Sequence, residues 1–142
     1  MIIRFLNDAE IAECYRVVFE LRKHLDQDEF LRRVALQKES GYCLAAAFDP
    51  DIIGVIGMRP VRTLARGWHM HVDDLVVTEK RRKEGVGEAL LGFAEVQAKN
   101  RNMDSVFLDS VATATEFYSR HGYVKHSATL MKKEIKPTSA AV

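Results

Sequence analysis

Cysteine is scarce in this sequence: only Cys14 and Cys43 occur in 142 residues, and their spacing matches no metal-binding or redox motif. Cys14 falls among apolar neighbours in a helical stretch and Cys43 in a strand-like stretch. Both read as small buried hydrophobes of a reducing compartment, with a pairing between them left open by the spacing. No apolar run is long enough to span a bilayer. The opening Met1-Ile2-Ile3-Arg4-Phe5-Leu6-Asn7-Asp8 meets acid too early for a signal peptide, so a cytoplasmic location is expected. Charge of one sign is missing too. With 21 basic and 20 acidic residues the net charge is +1, which gives no global pull toward nucleic acid or anionic membrane. Neither is expected as a partner, and any basic patch must be local. Repeats, low-complexity tracts and linkers are also absent.

What is present suits one ordinary globular domain over residues 1–142. The hydrophobic share of 47% and the charged share of 29% suit a chain that buries a full core. Ile2, Ile3, Phe5 and Leu6 predict a short strand. Asn7 and Glu10 have capping-box spacing. Ile11, Cys14, Tyr15, Val18, Leu21 and Leu25 then recur at helical period. A second helix is expected over 28–38, on Phe30, Leu31, Val34 and Leu36, ending at Ser40-Gly41. Residues 42–48 and 52–58 form a hairpin about the Asp49-Pro50-Asp51 turn. After a loop at 63–67, residues 68–77 read as a long strand and 86–100 as a helix, with Val86, Ala89, Leu90, Phe93, Ala94 and Gln97 inward. Residues 105–109 read as a buried strand. Thr113 and Glu116 have the Thr-x-x-Glu spacing of a capping box, so a helix starts near 114. Gly122 stands where that helix would end in a left-handed residue. Residues 123–124 and 127–135 are expected as one or two closing strands, and 137–142 as a frayed tail. The order implies an α/β fold on a mixed sheet.

The most informative stretch runs from Asp74 to Leu91: a strand, a tight basic loop with two glycines, then a helix. The glycines let backbone approach a ligand closely. The free N–H groups at the helix start and the helix dipole favour an anion. Lys80 to Lys83 add positive charge, so the physical reading is a pyrophosphate cradle. A merely exposed basic loop is the competing reading. The third glycine of a dinucleotide fingerprint and the Gly-Lys-Ser/Thr ending of a P-loop are both missing.

The whole phrase resembles the Gcn5-related N-acetyltransferase (GNAT) family. That family's Arg/Gln-x-x-Gly-x-Gly/Ala signature stands here as Arg82-Lys83-Glu84-Gly85-Val86-Gly87, after Leu75-Val76-Val77. Its downstream phrase, Ala-x-x-Phe/Leu-Tyr followed by Gly-Phe/Tyr, stands as Ala114-Thr115-Glu116-Phe117-Tyr118 and Gly122-Tyr123. The resemblance covers essentially the full chain. It implies a splayed, mixed, mostly antiparallel sheet with about four helices, and acetyl-CoA as co-substrate without a metal. It also implies that the backbone of Leu75, Val76 and Val77 meets the pantetheine arm. Arg82, Lys83, Glu84, Gly85, Val86, Gly87 and Glu88 would form the turn around the pyrophosphate. Tyr118 would protonate the leaving thiolate. Many family members carry an asparagine seven residues before the tyrosine; Val111 stands there in this chain, with Asp109, Ser110 and Thr113 as nearby polar substitutes.

Amine acylation needs a neutral amine, a donor for the oxyanion and an acid for the leaving group. The resemblance implies a backbone N–H near Val77 for the oxyanion. His69, His71 and Asp73 alternate along one strand and should share a face. Asp73 and His71 are the candidate bases, directly or through water, because a histidine near neutral pH can take a proton from an ammonium. A solvated polar row is the competing reading. Asp74 should point the other way and serve structure.

The acceptor is expected near residues 20–36 and 59–68. Arg59, Arg62 and Arg66 there could hold a carboxylate or phosphate, or could simply be solvated. A small molecule and a peptide both remain open as the primary-amine acceptor, and a covered sheet edge would make a homodimer. Two other classes compete: a non-catalytic acyl-CoA-binding sensor or partner module, and a nucleotide-phosphate binder.

Overall fold

Small residues at the centre of the sheet let helices pack on both of its faces. The structure, a computed structural model, describes residues 1–136. It divides into two compact units, Met1–Asp109 and the segment from Ser110 onward.

The first unit holds the sheet, in the order β1 (Ile2–Phe5), β2 (Cys43–Phe48), β3 (Ile52–Thr63), β4 (Gly67–Val77) and β5 (Ser105–Leu108). All neighbours are antiparallel except β4 and β5, which are parallel. That exception follows from the crossover helix α3 (Val86–Asn100) between them. Helices α1 (Asp8–Val18) and α2 (Gln27–Lys38) precede the hairpin. The Asn7–Glu10 capping box forms as the spacing predicts. Helix α1 stops at Val18, so Leu25 reaches the core from the following turns and Leu21 is exposed.

Two apolar clusters sandwich the sheet. Ile11, Cys14, Val17, Phe30, Val34, Ala46 and Val55 pack on one face. Ala45, Ala47, Ile56, Met58, Met70, Val72, Leu90 and Ala94 pack on the other. Burial pushes the Cys14 thiol up to about 12, so it behaves as a hydrophobe. Cys43 is only half-buried, and both thiols are free. Gly54 lets α3 approach: a Cβ there would lie 2.9 Å from Leu90 Cδ1 and 3.0 Å from Val86 Cγ1.

The sheet opens between β4 and β5. Their register runs from His69↔Ser105 to Val72↔Leu108 and ends, while β4 stays paired with β3 through Val77↔Gly54. Among the described residues, no strand pairs with 73–77 on their β5 side.

In the second unit a 3₁₀ turn at Ala112–Ala114 leads into α4 (Thr115–Arg120). The expected Thr113–Glu116 capping box does not form. Thr113 is wound into the 3₁₀ turn, so Ala114 takes the cap position without a side-chain bond. The helix ends as expected: Gly122 is left-handed (φ 88°), Tyr123 N–H bonds Tyr118 C=O and Gly122 N–H bonds Ser119 C=O. The expected closing strands at 123–124 and 127–135 do not form either. Val124, Leu130, Met131 and Ile135 are all exposed, and this unit holds no other strand among its described residues to pair with them. The tail expected at 137–142 lies outside the described residues.

Candidate active site

A β-bulge creates the polar centre of the first unit. Met58 pairs with Val72 and Gly57 with Asp74, so Asp73 is an extra residue in β4. The bulge changes which face each side chain takes. Before it, Met70 and Val72 join the α3 cluster; after it, Leu75 and Val77 do. Asp74 thus comes to the α1/α2 face with His69 and His71, which corrects the simple alternation that sent it the other way. Its structural role holds: it accepts bonds from Tyr42 Oη at 2.6 Å and Arg22 Nε at 2.9 Å. A side chain at Gly57 would overlap the Tyr42 hydroxyl.

Asp73 and His71 come together. Asp73 Oδ2 accepts from Arg59 Nε at 2.8 Å, and Asp73 Oδ1 lies 3.7 Å from His71 Nε2. Asp109 Oδ2 approaches the same nitrogen at 3.7 Å. These separations suit a bridging water or ammonium N–H better than a direct hydrogen bond. Burial holds the His71 pKa below the usual histidine range, with Arg59 and His69 adding to that effect and Asp73 and Asp109 opposing it. A neutral imidazole between two carboxylates can accept a proton and have the resulting cation stabilised. His69 separates from this group: its Nδ1–H donates to Gly67 C=O at 3.1 Å, and its ring meets Phe107 edge-on at 5.0 Å.

Local sequence offers Asp109 only as a cofactor-contact substitute and Arg59 as part of an acceptor clamp. Cross-strand pairing was the missing signal: Arg59 stands opposite His71 on β3.

The loop after β4 has the geometry of an anion cradle. Lys83 and Gly85 are both left-handed, with φ 65° and φ 83°. Gly85 takes the cap position of α3 with no side-chain bond, and the first helical bond runs from Ala89 N–H to Gly85 C=O. The amides of Val86 and Gly87 therefore face outward at the positive end of the helix. Arg82 Nε donates to Val77 C=O at 3.0 Å and ties the loop to the unpaired end of β4, where Leu75, Val76 and Val77 lie. Arg81 is held by Asp49 and Glu84. Lys80 and Lys83 meet no carboxylate among the described residues, and Glu84 and Glu88 are exposed.

A cleft of about 1040 Å³, lined by Glu13, Arg16, Glu20, Asp49, Lys80 and Arg81 among others, reaches the start of this loop. It includes neither His71 nor Asp73. No group of three or more His, Cys, Asp or Glu among the described residues could hold a metal. No helix among them is long and apolar enough to cross a membrane.

Tyr118 belongs to the second unit. It is half-buried in α4, with the rings of Phe117 and Tyr123 at 5.1 and 5.9 Å. Burial raises its hydroxyl pKa above the usual tyrosine value, so it stays protonated at neutral pH.

Comparison with known proteins identifies a family and a fold. The family model described as "Acetyltransferase (GNAT) family" matches residues 7–123. A protein named uncharacterized N-acetyltransferase YhdJ, from Bacillus subtilis strain 168, is 36% identical over 104 residues, covering 71% of this chain and 72% of its own. A putative acetyltransferase from Agrobacterium tumefaciens has a similar structure, with TM-score 0.81 at 17% identity over 94% of this chain and 100% of that one. A GNAT family acetyltransferase from Staphylococcus aureus gives TM-score 0.77 at 22% identity over 94% and 98%. At those identities the structural likeness speaks for the fold alone.

Proposed function

This chain belongs to the acetyltransferase (GNAT) family, and on that premise we propose that it moves the acetyl group of acetyl-CoA onto a primary amine of a small molecule or peptide. The observation that carries the reading is the uncapped start of α3. Outward amides, left-handed Gly85 and the free charges of Lys80 and Lys83 stand beside the unpaired end of β4. A pyrophosphate suits that turn, and a pantetheine arm suits the open edge at residues 75–77.

In this reading the acceptor arrives as an ammonium and loses a proton to His71, directly or through water. Asp73 and Asp109 stabilise the imidazolium. The amine nitrogen then attacks the thioester carbon, and a backbone N–H near Val77 donates to the oxyanion. The C–S bond breaks as the N–C bond is completed. The thiolate takes a proton from Tyr118, which burial keeps protonated at neutral pH. The extra proton on the new amide nitrogen passes through water to the phenolate, and the His71 imidazolium releases its proton to solvent. Free Cys14 and Cys43 agree with a reducing, cytoplasmic setting. The family match across 7–123 supports reading 1–142 as one N-acetyltransferase domain.

The test is turnover with acetyl-CoA and an amine panel, following released thiol and confirming the N-acetyl product by mass spectrometry. Product that requires both substrates supports the reading. Acetyl-CoA binding without product on any amine would make the chain an acyl-CoA-binding module instead.

A further inference from the structure

We infer that Arg66 forms an anion subsite for the acceptor, so that the preferred amines carry a carboxylate or phosphate a few bonds from the nitrogen. The inference rests on the proposed acetyl transfer and adds the acceptor's class to it.

Three arginines near the end of the β3–β4 hairpin differ sharply in what they can do. Arg59 is already engaged by one oxygen of Asp73 at 2.8 Å. Arg62 lies over Trp68, 3.9 Å from its ring centroid. Trp68 alternates with His69 and so faces away from His71. Arg66 is different. Its guanidinium lies 4.5 Å from the centroid of Phe107, and no carboxylate among the described residues pairs with it. Phe107 is the β5 partner of His71. Arg66 therefore stands on the histidine's own face, one strand over.

The charge is also pre-positioned. Arg66 N–H donates to Thr63 Oγ1 at 2.9 Å, and left-handed Gly67 follows (φ 69°). Stacking on an aromatic plane leaves the rim of a guanidinium free for two parallel bonds to a carboxylate or phosphate. At the other end, Asp73 and Asp109 flank His71 and attract an ammonium. The arrangement reads a dipolar molecule head to tail. Neighbouring strands are about 5 Å apart, so the two charges are separated by roughly 5–10 Å, the span of a short aminoalkyl chain. The same carboxylates would repel an acceptor bound in reverse, which sets the orientation.

The test compares matched pairs: 4-aminobutyrate with butylamine, and 2-aminoethyl phosphate with 2-aminoethanol. The wild type should favour the anionic member in kcat/KM by about tenfold or more, mainly through KM. The larger of the two preferences tells carboxylate from phosphate. R66Q should collapse the preference and R66K should restore part of it. R62Q, on the opposite face, should leave the preference ratio as in wild type. Equal use of both members by the wild type, or a preference that survives R66Q, would overturn the inference. Calorimetric titration of 4-aminobutyrate and 2-aminoethyl phosphate separates this from a failure of acetyl transfer. Binding weakened in R66Q supports the subsite even without turnover, and no binding of either probe overturns it.

Discussion

His71 Nε2 stands 3.7 Å from Asp73 Oδ1 because Asp73 is the inserted residue of a β-bulge. The extra residue lets one carboxylate serve Arg59 and His71 together, while its neighbour Asp74 bonds Tyr42 and Arg22. If His71 accepts the amine proton, H71Q should lower kcat/KM by about 10²–10³-fold, the usual scale for a general base. Acetyl-CoA affinity should stay near wild type. Steady-state kinetics beside calorimetry checks both, and a loss below threefold would remove His71 from the mechanism.

The pH dependence follows from the direction of the His71 shift. Burial lowers its pKa, so the acid limb of kcat/KM should have its midpoint below the ordinary value of about 6.5. Asp73 raises that pKa, so D73N should move the limb to still lower pH. The linked stability has a definite sign. A histidine with a depressed folded pKa contributes stability above the unfolded value and loses it as pH falls toward the folded one. H71Q should flatten that part of the stability profile in urea unfolding between pH 7.5 and 5. An acid limb above the ordinary histidine value would contradict the assignment.

Tyr118 is tested by a single oxygen. Y118F keeps the ring that packs on Phe117 and Tyr123 but removes the proton. As the acid for the leaving thiolate, its loss should cut kcat by about 10–10²-fold with little change in KM. A more acidic thiol leaving group should recover part of that loss. Wild-type kcat in Y118F would leave the tyrosine a packing role only.

Tyr42 tests the structural half of the bulge. Its buried hydroxyl donates to Asp74 Oδ2 at 2.6 Å. Y42F removes one partner of a half-buried carboxylate and should cost about 1–3 kcal/mol in denaturant unfolding. A change below about 0.5 kcal/mol would mean that Arg22 alone satisfies Asp74.

Much of this architecture was legible from local chemistry. The Asn7–Glu10 box, the Asp49-Pro50-Asp51 turn and the bounds of α3 follow from caps, turn residues and period, which act over a few residues. Gly85 was legible as a backbone position for the same reason. The bulge at Asp73 was not, because it is a matter of register with β3, where Gly57 pairs with Asp74 and leaves room for the Tyr42 hydroxyl. The pairing of Arg59 with Asp73 depends on that same register. Thr113 and residues 123–124 and 127–135 mark the opposite failure. Their local patterns suit a cap and strands, yet a cap needs the helix to start at the right residue and a strand needs a neighbour to bond.

The proposed acetyl-CoA site at the start of α3 can be probed without any knowledge of the acceptor, by calorimetric titration with acetyl-CoA. The comparison is between the wild type and a Gly85→Glu, Gly87→Glu double variant whose folding is verified by circular dichroism. The left-handed backbone at Gly85 strains any other residue, and each carboxylate repels a pyrophosphate. Saturable binding is expected for the wild type and none for the folded variant. No binding to the wild type, or equal binding to both, would contradict the proposed site.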